Sequence, residues 1–152
     1  MEIPEAFDYR PDPDNPGWYI WQLKDPGRFN DVALGPMIVR RESDRTARTR
    51  LLSLGKQHSN LEGSIHGGAI LGFVDIALFS TVASVIDLDV AGSLTVDLSC
   101  QFIGAGSLDS PLDCVGEITR ETGRMIFLRG LIEQGDHGVA TFIATLRKPT
   151  RR

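Results

Sequence analysis

Asp75 is the first residue whose type and setting point to chemistry. It sits in an almost wholly apolar run from Gly63 to Ile86, and between Glu62 and Asp87 the only other titratable side chain is His66. A carboxylate removed from water must find hydrogen-bond partners or shift its pKa. Such carboxylates are either structural or reactive, and perturbed ones gather at active sites. The second feature is His66-Gly67-Gly68, where the apolar run begins. A helix starting there presents unpaired N–H groups at the positive end of its dipole, and glycines let a ligand approach them closely. That arrangement suits an oxyanion developing at an attacked carbonyl. The bland alternative for the glycines is a tight loop-to-helix turn.

Spacing couples the two features. Asp75 follows Gly68 by seven residues, two helical turns or about 10 Å of rise. One carbonyl cannot lie within about 3 Å of both groups on one helix. If both act on one substrate, they come from two chains, so the catalytic reading demands a dimer with paired helices.

The elements that must position these groups follow from pattern. The apolar run could be mistaken for a membrane span, but it carries a central carboxylate, which is costly in a lone span, and its flanks are acidic or polar rather than basic. It is expected to be a buried helix, with Ser64 as a candidate N-cap. Met37 to Arg41 and Ala47 to Leu54 look extended, with a turn near Glu42-Ser43-Asp44. A polar loop containing His58 spans Gly55 to Gly63. After a turn from Asp87 to Gly92, four strands are expected: Leu94–Ile103, Leu112–Thr119, Arg124–Glu133 and Val139–Leu146. In the first of these, Leu94, Val96, Leu98, Cys100 and Phe102 alternate with polar residues. A helix this apolar needs cover on most sides, which a single curved antiparallel sheet provides in an α+β arrangement.

Residues 1–28 form a proline-rich extension ahead of the domain at 29–152. Its five prolines are expected to exclude a regular helix or a central strand. Trp18, Tyr19, Ile20 and Trp21 are expected to pin it to the body by packing rather than to form a lid. A short helix fits Phe29 to Leu34.

Composition removes several classes. The net charge of −4 offers no basic surface for nucleic acid. Cys100 and Cys114 lie in apolar alternating stretches and are expected to be free, buried side chains. The first residues carry no secretory pattern, so a cytoplasmic setting is expected. No His/Cys/Asp cluster has metal-ligand spacing, and no cofactor or membrane partner is expected.

The run Asn60-Leu61-Glu62-Gly63-Ser64-Ile65-His66-Gly67-Gly68, followed by Asp75-Ile76-Ala77, resembles the N-x-x-G-x-x-H-G-G…D-x-A signature of PaaI-like hotdog thioesterases. These are relatives of the 4-hydroxybenzoyl-CoA and phenylacetyl-CoA enzymes. Leu34-Gly35, Thr95-x-Asp97-Leu98 and Gly123-Arg124 extend the resemblance over residues 29–149. It implies a hotdog fold, hydrolysis of an acyl-CoA, and a homodimer or dimer of dimers. It also implies roles: Asp75 as nucleophile or general base, the partner's Gly68 N–H as oxyanion donor, Asn60 positioning water or carbonyl, and His66 ordering the loop. Gly67, Gly123 and Arg124 would contact substrate, and Arg124, Arg147 and Lys148 are candidates for the CoA phosphates. Thr95 matches a hydroxyl that orients the carboxylate in some members. Strict alternation, however, turns Thr95 away from its own helix; it could still face a partner's site across the dimer seam. Two other functions fit the same fold: a non-catalytic acyl-CoA binder and an acyl-thioester hydratase or dehydratase. A buried charge gives a pure binder little, and the motif of the hydratases is absent.

Overall fold

The apolar run forms one helix, α1 (Gly67–Ile86), in a computed structural model that describes residues 6–150. By length and composition α1 would cross a bilayer, but it is the core helix of an antiparallel sheet. Eight strands make that sheet: β1 (Phe7–Pro11), β2 (Tyr19–Leu23), β3 (Met37–Arg41), β4 (Thr46–Leu51), β5 (Leu94–Phe102), β6 (Leu112–Glu121), β7 (Met125–Gln134) and β8 (His137–Arg147). Their spatial order is β1-β2-β3-β4-β6-β7-β8-β5, which leaves β5 on an edge.

Period-two alternation sends one set of side chains toward the helix. Ile118, Leu128 and Ala144 sit opposite one another on β6, β7 and β8 and are buried. One row closer in, Gly116 faces Thr81 of α1. A Cβ there would lie 2.5 Å from Thr81 Oγ1, so the missing side chain lets helix and sheet approach. Phe73, Val74, Ala77 and Val82 are fully buried from the helix side. One stripe of α1 is only partly covered; it carries Gly68, Leu71, Gly72, Asp75 and Phe79.

The N-terminal segment departs from expectation. Rather than irregular chain, it contributes a hairpin to the same sheet, and β2 is paired on both sides, with β1 and β3. The prolines do not interrupt it because of where they fall. Pro11 ends edge strand β1, Pro13 and Pro16 lie in the connecting loop, and the stretch that forms β2 has none. Pro4 lies outside the described residues. The aromatics pack, as expected: Trp21 is buried against Phe7 and Tyr9. The guanidinium groups of Arg40 and Arg50 lie over the Trp18 ring, 4.5 and 4.8 Å from its centre.

The short helix near Phe29 is a single wide turn, Asn30–Leu34, closed by Gly35 N–H donating to Asn30 C=O at 2.9 Å. Gly35 then adopts φ +111°, which favours glycine. His58 is not a plain loop residue. It is buried, accepts from Gly55 N–H through Nδ1 (3.0 Å), and so donates from Nε2 to Leu34 C=O (3.0 Å). It thereby rivets the loop before α1 to the turn before β3.

Candidate active site

Asp75 is half-buried on the partly covered stripe of α1, and its Oδ1 accepts a 2.7 Å hydrogen bond from Thr95 Oγ1 of the same chain. Strict alternation therefore misplaces Thr95, and the cause is local. Thr95 pairs with Leu146 and Asp97 with Thr145, so Val96 is an extra residue against β8. Such a bulge reverses the facing of what precedes it. Leu98 and Cys100 face the core, while Thr95, three residues before Leu98, faces it too. Leu94 and Val96, expected on the apolar face, are more than half exposed.

At the other end of α1 the helix is capped by His66, not Ser64. His66 has extended backbone geometry, and its Nδ1 accepts from Gly68 N–H at 2.8 Å. The His66 ring thus caps the first turn of α1. The same bond engages the Gly68 N–H within its own chain. Gly67 N–H, one residue earlier, donates to no group among the described residues. The Gly67 α-carbon lies under the Phe102 ring, since a Cβ there would sit 3.2 Å from Phe102 Cζ.

Asn60 is exposed beside this turn. Its Oδ1 accepts from Glu62 N–H and Ser64 N–H, both at 3.0 Å, and shapes the loop. The side-chain NH2 is left to donate outward. Asn60, His66 and Gly67 therefore form one cluster and Asp75 with Thr95 another. The eight residues from Gly67 to Asp75 separate the two by about 12 Å of helical rise.

Gly123 and Arg124 line a cleft of about 760 Å³ with Arg147, Lys148, Leu88 and Asp89, beyond the C-terminal end of α1. Lys148 Nζ is paired with Glu121, while Arg124 and Arg147 form no ion pair among the described residues. Arg147 lies opposite Leu94, next to Thr95 on β5. Among the described residues no cluster of His, Cys, Asp or Glu could hold a metal ion. Burial raises the thiol pKa of both cysteines, and Cys114 is fully buried.

One long helix wrapped by an antiparallel sheet, with the carboxylate mid-helix, defines a hotdog-fold protein. The family model for the thioesterase superfamily matches residues 62–141, over half of the chain, and the chain belongs to that superfamily. Among solved structures it resembles a hypothetical thioesterase from Streptococcus pneumoniae determined with coenzyme A. The TM-score is 0.67 at 21% identity, over 79% of this chain and 91% of that one. Zebra fish thioesterase superfamily member 2 matches with TM-score 0.68 at 16% identity, covering 82% of this chain and 88% of the other. The Escherichia coli PaaI protein from the phenylacetic acid degradation operon gives 0.66 at 16%, covering 82% and 86%. Identities of this size establish the shared fold. No curated protein matches the chain in sequence.

Proposed function

We propose that the chain hydrolyses acyl-CoA thioesters, without metal or cofactor, at two equivalent sites on the seam of a cytoplasmic homodimer. Superfamily membership supports the reaction class, and the structure with coenzyme A supports the leaving group. The observation that carries the reading is the placement of the two half-sites at opposite ends of β5. Asp75 is bound by Thr95 at one end, and Gly67 lies under Phe102 at the other.

β5 is an edge strand whose Leu94, Val96 and Phe102 are about half exposed. An unpaired apolar edge is a template for pairing with a second chain. Two-fold antiparallel pairing of β5 with its copy would bring Thr95 of one chain near Phe102 of the other. One chain's Asp75 would then face its partner's free Gly67 N–H. The same patch is used twice, which yields two sites per interface. A dimer of dimers is compatible with this unit.

In the proposed reaction Asp75, steadied by Thr95, takes a proton from water as the water oxygen attacks the thioester carbon. The carbonyl oxygen gains the negative charge and is held by the partner's Gly67 N–H, with the Asn60 side-chain amide beside it. The oxyanion then collapses, the C–S bond breaks, and the CoA thiolate leaves, taking the proton back from the Asp75 carboxyl and restoring the carboxylate. Arg124 and Arg147 in the cleft beyond α1 would take phosphate oxygens of CoA. The direct test is a panel of acyl-CoAs with detection of free thiol. Release of CoA from some member is expected. Binding of CoA with no release across the panel would replace hydrolysis by a purely binding role.

A further inference from the structure

The short turn before β3 carries two large apolar side chains that the fold does not bury: Phe29, 61% exposed, and Val32, 71% exposed. Phe29 is nevertheless placed. Its ring tip rests on the backbone of Gly72, where a Cβ would lie 3.1 Å from Phe29 Cζ and 3.3 Å from Cε1. Gly72 belongs to the partly covered stripe of α1, one turn before Asp75, with exposed Leu71 beside it. A gap in the helix surface is thus filled from outside by an aromatic ring, about 4.5 Å of helical rise from the carboxylate.

A thioester has two arms diverging from its carbonyl. On the function proposed above, on which this inference rests, the CoA arm leads toward Arg124 and Arg147 beyond the C-terminal end of α1. The acyl arm then runs the other way along the stripe, toward Gly72. We propose that Phe29, seated on Gly72, is the residue that sets acyl-chain length, closing the acyl groove a few methylene groups from the thioester carbon. Phe29, Val32, Leu71 and Gly72 offer no side-chain hydrogen-bond donor or acceptor, so the group selected there is a plain hydrocarbon acyl rather than a hydroxylated or charged one. A polar substituent buried against this wall would lose its water partners without replacement.

The experiment separates this role from hydrolysis by using S-alkyl-CoA thioethers of increasing length, which bind but cannot be cleaved. Affinities are measured by calorimetry for the unaltered protein, Phe29→Ala, Gly72→Ala and the double variant, with free CoA as reference. The unaltered protein is expected to gain affinity with each methylene up to a limit and then to stop gaining. Phe29→Ala should move that limit to longer chains, with about fourfold tighter binding per methylene newly admitted, and leave free CoA unchanged. Gly72→Ala pushes the ring outward, so it should alter the length limit when Phe29 is present and have no effect when it is Ala. An unmoved limit in folded Phe29→Ala overturns the inference. So does a change in the mass of the assembly with the limit unmoved, which would make Phe29 a subunit contact. Failure of every thioether and of free CoA to bind would overturn the acyl-CoA reading, and the inference with it.

Discussion

Thr95 Oγ1 and Asp75 Oδ1, twenty positions apart in the chain, meet at 2.7 Å because a single extra residue in β5 turns the threonine inward. The hydroxyl has its donor committed to the carboxylate, so it fixes which oxygen remains free to take a proton from water. A hydrogen bond to a charged group contributes about 1.5–3 kcal/mol. Thr95→Val is therefore expected to lower kcat by roughly ten- to a hundredfold with little change in KM, and Thr95→Ser should restore most of it. A Thr95→Val enzyme with normal kcat would make the contact incidental to catalysis.

The cleft beyond α1 predicts a different signature. Arg124 and Arg147 form no ion pair among the described residues, whereas Lys148 is held by Glu121. Replacing both arginines by glutamine should raise KM for acyl-CoA about tenfold or more, since charge-assisted bonds to phosphate are strong, while kcat is kept. The same substrate shortened to an acyl-pantetheine, which lacks the nucleotide phosphates, should show no change. Equal loss on both substrates would place the phosphates elsewhere.

How much of this was legible in the sequence depends on the range of the signal. The long helix is written in an apolar run and the four strands after it in local alternation and turn residues, and their ends fall within a few residues of expectation. The family motif marked Asp75, Asn60 and the His66-Gly67-Gly68 turn. What pattern could not resolve was facing. Alternation assumes an unbroken strand, and the bulge at Val96 carries no sequence mark that one chain reveals. Likewise the hydrogen bond from Gly68 N–H to His66 Nδ1 depends on ring geometry, not on residue type. The N-terminal hairpin is hidden by the proline content of the whole segment, because its pairing depends on a short proline-free stretch. His58 gave no periodic signal, since its partners are backbone groups at Gly55 and distant Leu34.

His58 predicts a stability effect. Both ring nitrogens are bonded and the side chain is almost fully buried. His58→Ala leaves the buried Leu34 C=O without a partner, at about 1–3 kcal/mol, frees the partly buried Gly55 N–H, and opens a cavity besides. Urea denaturation should show a loss of about 3 kcal/mol or more. A loss below about 0.5 kcal/mol, the range of ordinary surface changes, would mean water replaces the rivet.

Acid should weaken the outer face of the sheet in a definable window. Burial raises the Glu42 pKa, but the Arg40 and Arg48 guanidiniums bonded to it outweigh that and hold the group below the usual glutamate range. A carboxylate with a lowered folded pKa adds stability that is complete above its unfolded pKa and fades as pH falls through the folded one. Glu42→Gln should therefore destabilise at neutral pH and converge with the unaltered protein at low pH. Parallel stability curves across that range would show that Glu42 adds no linked protonation.

The shared-site geometry makes the sharpest demand. Gly67 is the first residue of α1, and His66 before it has φ −63° and ψ +137°, a conformation that proline tolerates in its predecessor. Proline is also favoured at the first helical position, where it removes an N–H that has no helical partner. Gly67→Pro therefore deletes the proposed oxyanion donor while keeping the helix, with the Phe102 ring shifting slightly to admit the new carbons. Alone it should lower kcat by about two to three orders of magnitude, as loss of an oxyanion donor does. Asp75→Asn should cost at least as much, with the fold retained. Mixing the two inactive proteins and letting subunits exchange gives heterodimers. If Asp75 of one chain works with Gly67 of the other, each heterodimer has one intact site and one site lacking both groups. Activity should then rise toward one quarter of the unaltered level, because about half of randomly exchanged dimers are mixed and each mixed dimer has half its sites intact. Exchange confirmed by mass spectrometry without any recovery would mean that each chain builds its own site, and the pairing of Asp75 with a partner's Gly67 would be wrong.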